Sequence, residues 1–457
     1  MRAPRVCVIG GGLAGLSAAV ELVDAGVHVT LLEGRPRLGG ATFSFVRDGL
    51  TVDNGQHVFL RCCTAYRDFL RRIGTADGVY VQDRLSVPIL TPDGTLRRLE
   101  RSDLPAPLHL AGAVAGYPLL TTMQRVQAGR ALLALRRLDP NDPALDTESF
   151  GSWLRKHGQS DAAIEALWGL ISVPTLNATP DESSLGLAVM VFRTGLLDSN
   201  DAADLAVPTL PLSKLHVDPA AAALESAGAT IRTSCKVLGV QVVQRDGVDR
   251  GRLTVASRDG VVTADAVISA VPQDVVGGLL PEGTLTTRVD RLGFSPIVNL
   301  HVVYDRPVTA LRFATAHNSP VGWVFDRTDT GGLTGGGQYL TVSLSAADRE
   351  LGEPVAVLRD RFLPALADLF PGARRATVRR FFVTREPHAT FRATPGSASL
   401  RVSEQTNTPG VFLAGSWTDT GWPATMEGAV RSGVRAARRA LSTLEVTRTP
   451  TPEGAPL

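Results

Sequence analysis

Gly10-x-Gly12-x-x-Gly15, with Glu33 further along, is the spacing in this sequence best suited to holding phosphates. The glycines have separate jobs: a tight turn, close approach of backbone to a pyrophosphate, and close helix–strand packing. Leu13 and Ala14 lie between them, where a helix opens and offers free N–H groups and a positive dipole end to an anion. A carboxylate at Glu33 can accept hydrogen bonds from the ribose hydroxyls of an adenosine. These residues together point to dinucleotide binding. A second polar cluster is Asp53-Asn54-Gly55-Gln56-His57. By residue type alone it also reads as a polar turn before a helix, with Asp53 or Asn54 hydrogen-bonding backbone.

The surrounding elements are placed to position these groups. Val6 to Ile9 forms a β-run into the glycine turn. Leu13, Leu16, Ala19, Val20, Leu22 and Val23 give a helical pattern that Gly26 ends, and Val27 to Leu32 is a second strand ending at Glu33. The unit is βαβ. Phe43, Phe45 and Val46 predict a strand, Asp48-Gly49 a turn, and Leu50 and Val52 its return. From Cys62 to about Leu205 the periodicity is mostly helical, with helices expected at Ser149 to His157 and Asp161 to Ile171. Pro105 to Leu138 is apolar and then interleaved with Arg125, Arg130, Arg136 and Arg137. Such a segment either lies on an anionic membrane surface or packs one face on the core.

From about Leu210 the nucleotide-binding pattern resumes. Lys214 to Ala227 reads as a helix, and Ala229 to Thr233 and Val237 to Val243 as strands. Leu253 to Ala256 and Val261 to Val262 continue a small meander, and Asp265 to Pro272 holds a buried strand. Further strands are expected at Ile297 to Tyr304, Gly322 to Phe325, Tyr339 to Leu344 and Thr377 to Val383. A helix is expected over Glu353 to Leu369, and Arg385 to Gly396 as a connection. Val411 to Ala414 is a last strand, followed by a helix over about Met426 to Leu441.

The 457 residues suffice for two or three domains, and 44% hydrophobic content is ordinary for a globular chain. A net charge of +2 does not suggest a nucleic-acid partner. The four cysteines, Cys7, Cys62, Cys63 and Cys235, show no zinc or redox-dithiol spacing, so no metal site is expected and a reducing cytoplasm fits. A first strand starting by Arg5 leaves no room for a signal peptide, and no apolar run reaches the roughly 18 residues of a spanning helix. The expected location is cytoplasmic, with peripheral contact at the inner face of the cell membrane left open.

Glu33-x-Arg35-x-x-x-Gly39-Gly40 after the second strand resembles the extended signature of FAD enzymes of the glutathione-reductase-like, amine-oxidase and phytoene-desaturase superfamily. Together with Asp53-Asn54-Gly55-Gln56-His57, Arg385-Glu386-x-x-Ala389-Thr390-Phe391 and the closing stretch Ala414 to Gly433 (AGSWTDTGWPATMEGAVRSG), it resembles the squalene-associated FAD-dependent desaturases. Their activity is hydroxysqualene dehydroxylation in bacterial squalene and hopanoid synthesis. The resemblance implies an α/β fold: a Rossmann-like FAD-binding domain of the amine-oxidase type with an inserted α+β substrate domain. The FAD-binding parts would be 1–60, 210–275 and 401–442. The substrate parts would be 61–209 and 276–400, with membrane-facing helices in 105–138, and 443–457 would be a flexible tail.

Carried over residue by residue, the resemblance assigns FAD contacts to Gly10, Gly12, Leu13, Ala14, Gly15, Glu33, Arg35, Gly39, Gly40, Gly55, Gln56, His57, Val237, Gly415, Ser416, Ala424, Thr425 and Met426. Two positions depart from the pattern: Ala41 stands where relatives carry Arg, and Ser416 where they carry Asp. The implied reaction replaces an allylic hydroxyl by hydride from reduced flavin. An acid on the departing oxygen lowers its barrier, and His57, then Asp53, then Asp419 are the candidates. The polyisoprenoid would need an apolar tunnel lined from residues 100–200 and 295–345, and the electron donor is unknown. Rival readings are a phytoene-type desaturase, an amine oxidase, and a lipid-escort protein without flavin chemistry. The absence of Lys from Ser295 to Tyr304 argues against the amine oxidase, and the intact glycine fingerprint against the escort protein.

Overall fold

The computed structural model describes residues 3–243 and 252–446. Its centre is a five-stranded parallel sheet whose strands come from distant parts of the chain. The order is Thr230–Arg232, His28–Leu32, Arg5–Ile9, Ala266–Ser269, Val411–Leu413. A parallel sheet is covered on both faces, which is why these strands read as continuous apolar runs. The first helix, Leu13–Asp24, packs against the closing helix, Met426–Thr443. Small residues let their backbones meet: a Cβ on Gly433 would lie 2.1 Å from the Ala14 carbonyl oxygen. The Val237–Val243, Arg252–Ser257 and Gly260–Ala264 strands form the expected antiparallel meander. Asp48 and Gly49 both have positive φ, joining Ser44–Arg47 to Leu50–Asp53 through a two-residue hairpin loop.

A second, seven-stranded sheet forms the floor of the other half. Its order is Val378–Thr390, Ser295–Tyr304, Gln338–Ser345, Trp323–Asp326, Phe313–Ala316, Ser86–Leu90, Leu96–Glu100. Strand Ser295–Tyr304 is buried on both faces, and its period of two divides the labour. Val298, Leu300 and Val302 join a core with Leu358, Phe362, Leu366 and Leu369 of helix Val355–Leu369. Val303, on the opposite face, packs with Leu50, Val52, Tyr339 and Phe382. The same face carries Asn299 and His301.

Several expectations change here. The region 62–205 is not simply helical, since Val79–Val81, Ser86–Leu90 and Leu96–Glu100 are strands. The overlooked signal is the turn between the last two, where the Asp93 carboxylate accepts from the Thr95 N–H at 3.1 Å. The helices expected within 105–138 are broken in the middle. A 3-10 turn at Leu108–Leu110 and a short helix at Ala111–Ala115 end around Gly116 and Pro118; helix Thr122–Arg136 then starts afresh behind a Thr121/Gln124 capping box. The expected connection Arg385–Gly396 is instead strand as far as Thr390, because Val378–Thr390 stays paired with Ser295–Tyr304 through two register shifts. The helix begun at Asp161 continues through a π-turn to Leu176, and left-handed Asn177 ends it. Of the expected tail, 447–457 lies outside the described residues. Among the described residues, no helix is long and apolar enough to cross a membrane.

Candidate active site

The carboxyl ends of parallel strands, with the helix N-termini that follow them, are where an open α/β sheet binds its ligand. Here that edge gathers Gly10, Ala270 and Ala414. Ala270 N donates to the Ile9 carbonyl at 2.7 Å, and Ala414 N to the Ser269 carbonyl at 2.8 Å. Two glycines of the turn admit nothing larger. A Cβ on Gly15 would sit 1.9 Å from the Gly10 carbonyl oxygen, and one on Gly10 would sit 2.6 Å from the Ala270 oxygen.

Gly40, at φ +56°, brings its segment against the same turn: a Cβ there would lie 2.9 Å from the Gly12 Cα. A Cβ on Gly12 itself would meet only the Gly40 Cα, at 3.6 Å, so space remains before the first helix. That helix starts with no side-chain cap and no acid in its first turn. Its first N–H groups lack a side-chain acceptor, and its dipole end is free for an anion. The Glu33 carboxylate is buried and fixed by the Gly11 and Arg35 N–H groups, both at 2.7 Å. Val237 is reached through Cys235, whose N–H bonds the Glu33 carbonyl at 2.9 Å. A glycine cradle, an uncapped helix and a fixed carboxylate fit a dinucleotide.

The closing segment lies on the same edge. Gly415 follows strand Val411–Leu413, and its N–H donates to Ser432 Oγ of the closing helix at 2.8 Å. Ser416, Ala424 and Thr425 are partly accessible, and Thr425 caps that helix by accepting from Gly428 N at 3.1 Å. Met426 is buried. The segment 53–57 is tied to the glycine pair through Asn54. Its amide accepts from Phe43 N at 3.0 Å and donates to the Ala41 carbonyl at 2.8 Å. Gly10, Gly40 and Gly415 are thus held at the carboxyl edge of the parallel sheet, and segment 53–57 is tied to the chain just past the glycine pair.

The three candidate acids have different surroundings. His57 is half-buried as a residue, and its Nε2 is covered and has no hydrogen-bond partner. Burial, then His216 and Arg327, push its pKa down to about 3, so the ring is neutral at neutral pH. Asp53 is ion-paired with Arg327 and also accepts from Ser44 Oγ at 2.6 Å and Leu212 N at 3.0 Å. Burial still raises its pKa against the pull of Arg327. Asp419 is exposed in a turn, accepting from Gly421 N at 3.2 Å. Asp53 and His57 share the field of Arg327; Asp419 is not part of that group.

Some residues escaped the sequence reading. Asn299 donates to the Asn54 carbonyl at 3.1 Å, while its own Oδ1 is buried without a partner. Glu386, a half-buried carboxyl beside the Asn54 side chain, is pushed upward by burial. His216 links Tyr66 Oη, at 3.1 Å, to Thr42 Oγ1, at 2.9 Å. The Glu427 carboxylate accepts from Ala65 N at 3.1 Å and Tyr66 N at 2.7 Å, closing the N-terminus of helix Thr64–Arg72. Strand parity within Ile297 to Tyr304 could have put Asn299 beside His301; Glu386 and Glu427 lie in the quoted motifs without a role that the local pattern announces, and nothing local signals His216. Among the described residues, no cluster of His, Cys, Asp and Glu is placed to hold a metal ion.

The profile of the family described as flavin containing amine oxidoreductase matches residues 13–441. A hydroxysqualene dehydroxylase of Sinorhizobium fredii is 33% identical over 446 residues, covering 96% of this chain and 98% of that protein. A probable zeta-carotene desaturase of Synechococcus elongatus is 26% identical over 476 residues, covering 96% and 98%. Among solved structures, wild-type putrescine oxidase bound to putrescine superposes with a TM-score of 0.72 at 18% identity, covering 96% of this chain and 99% of that one. The last likeness concerns the fold alone.

Proposed function

This chain belongs to the flavin containing amine oxidoreductase family and is an FAD-dependent oxidoreductase, and from that premise we propose that it converts hydroxysqualene to squalene. The observation that carries the reading is the likeness to a hydroxysqualene dehydroxylase over nearly the whole of both chains. FAD, when bound and reduced, supplies the hydride. Hydride, one proton and the alcohol give the hydrocarbon and water, and an external two-electron donor must restore the reduced state.

The residues assigned to FAD from Gly10 to Met426 would hold it at the carboxyl edge of the parallel sheet. The uncapped first helix would meet the pyrophosphate, Glu33 the ribose, and Val237 the adenine. The Thr425-capped helix would point its positive end at the ring, where negative charge on reduction is stabilised. His57, being neutral, would hydrogen-bond the departing oxygen rather than act as a free acid. Asp53, held by Arg327, would orient the 53–57 segment, and Asp419 would shape the closing turn.

Anaerobic incubation of the reduced holoenzyme with hydroxysqualene is expected to yield squalene with stoichiometric oxidation of the flavin. No squalene and a flavin that stays reduced would end the reading. The desaturase likeness keeps one alternative, and coloured, more unsaturated products from phytoene would select it.

Contact with an anionic membrane surface belongs to the same proposal. From Leu104 to Leu138 there is no Asp or Glu. The outer face of helix Thr122–Arg136 exposes Met123 (66%), Val126 and Leu133 (54%) beside Arg130. Exposed apolar side chains among arginines suit a layer of acidic headgroups. Cosedimentation with phosphatidylglycerol vesicles should fall severalfold for Leu133→Asp, and an unchanged bound fraction would refute the contact.

A further inference from the structure

Three arginines among the described residues are more than nine-tenths buried: Arg101, Arg327 and Arg401. Two have an acid to match. Arg101 pairs with the fully buried Asp204, and Arg327 pairs with Asp53. Arg401 has no such partner; among the described residues, no carboxylate forms an ion pair with it. It bonds only backbone: Nε donates to the Trp417 carbonyl at 3.3 Å, and Nη2 donates to those of Thr418 at 2.6 Å and Trp422 at 2.7 Å. Its guanidinium lies 4.9 Å from the centre of the Phe391 ring. Burial pushes its pKa down to about 10, with Asp419 and Asp146 opposing from a distance.

Carbonyl dipoles satisfy N–H groups of the guanidinium, and Asp419 and the buried Asp146 act on it only through the field, so no carboxylate meets its charge in direct contact. A buried charge without a contacting counter-ion is unfavourable. The position of this one is informative. Its three acceptors lie in the loop between strand Val411–Leu413 and the closing helix. Trp422 is only three residues before Thr425, the cap of that helix. A fixed cation and a helix N-terminus are thus joined through one short loop that leaves the carboxyl end of the last parallel strand.

We propose that the missing counter-charge is the reduced, anionic flavin, and that Arg401 is a positioning residue that holds the Trp417–Trp422 loop against the cofactor and raises its reduction potential. Oxidised flavin is neutral at its ring and reduced flavin is anionic, so a nearby cation favours the reduced form selectively. The inference rests on the flavin assignment and not on hydroxysqualene as substrate. A protein that purifies without flavin fails the first, whereas flavin-loaded variants with unchanged potentials fail only the inference.

The test is the midpoint potential of the FAD holoenzyme and two variants. Arg401→Gln keeps hydrogen-bond donors and removes the charge. It should shift the oxidised/reduced balance about tenfold toward oxidised, close to 30 mV for a two-electron couple. Arg401→Lys keeps the charge and loses the planar fork. It should melt earlier while holding most of the wild-type potential. A pure loop clamp predicts the opposite: both variants melt earlier and neither potential moves, which would overturn the proposal. If Arg401→Gln fails to retain FAD, Asp419→Asn decides. Removing that opposing charge should move the potential a few-fold toward reduced, and no movement would overturn the proposal equally.

Discussion

Two helices of this molecule begin in opposite ways. The first, Leu13–Asp24, starts at Gly12 with no side chain over its N–H groups and with space before it. The second, Thr64–Arg72, also lacks a side-chain cap from its own N-cap residue, Cys63. Its N–H groups at Ala65 and Tyr66 are nevertheless met by the Glu427 carboxylate, delivered from the closing helix. Both ends carry the same unsatisfied donors and the same partial positive charge. The chain fills one from within and leaves the other without a side-chain acceptor. An open helix end is informative only because a neighbouring end is shut.

The sharpest way to break this contrast is to open the closed end. Glu427 is buried and also pairs with Arg431, its Oε1 accepting from Nε at 2.6 Å. Glu427→Ala removes the carboxylate from two helix N–H groups and leaves Arg431 without its acid. Loss of about 3–5 kcal/mol is expected, because two helix N–H groups lose a charged acceptor that is itself buried. Urea unfolding of the FAD-free protein measures it; a loss below about 1 kcal/mol would mean that solvent replaces Glu427.

The converse experiment shuts the open end. Gly12 has φ −78° and ψ −179°, a conformation any residue adopts and the usual one for a helix cap. A Cβ fits there, with its nearest neighbour at 3.6 Å. In Gly12→Asp the new carboxylate caps the first helix and occupies the place assigned to pyrophosphate. Stability of the FAD-free protein should hold or rise by a few tenths of a kcal/mol. FAD affinity should fall about 100-fold, close to 2.7 kcal/mol, because two anions compete for one dipole end. Fluorescence titration with FAD reads this directly, and wild-type affinity would show that the phosphates lie elsewhere.

The same contrast explains what the sequence disclosed. The open end is local: strand, glycines, helix and second strand run without interruption from Arg5 to Leu32, so their spacing carries the whole geometry. The closed end is not. Glu427 lies 361 positions from Tyr66, and no periodicity in either segment announces the contact. Asn299 meets Asn54 across 245 positions, and Arg401 looks from sequence like any surface arginine. The hairpin at Ser86 to Glu100 was hidden for a different reason. Its strands carry Pro88, Arg97 and Arg98, and only the Asp93-Gly94 turn betrays them. Motifs whose geometry is contiguous in sequence are legible; charges matched across the fold become visible only when the chain has folded.

The effect that is smallest at neutral pH concerns the seam between the two helix ends. His216 lies there with no exposure, reaching Tyr66 of the closed helix with Nδ1 and Thr42, just past the glycine pair, with Nε2. Burial holds its pKa down at about 4. The unfolded chain takes up a proton at the ordinary histidine pKa of about 6.5, whereas the folded chain does so only near 4. Above the ordinary value both states are neutral and His216 contributes no pH dependence. As pH falls through the interval the unfolded state binds the extra proton, and stability falls by up to about 1.4 kcal/mol per pH unit. Below the folded value the slope from this residue ends. His216→Gln, which retains hydrogen bonding without the titration, should therefore reduce the acid slope by about one proton between those limits while leaving stability above pH 7 within about 1–2 kcal/mol. His57 and His301, also held near 3, keep the remaining slope. An identical slope in wild type and variant would show that His216 already exchanges its proton with solvent, and that the seam between the open and closed ends is wetter than its packing implies.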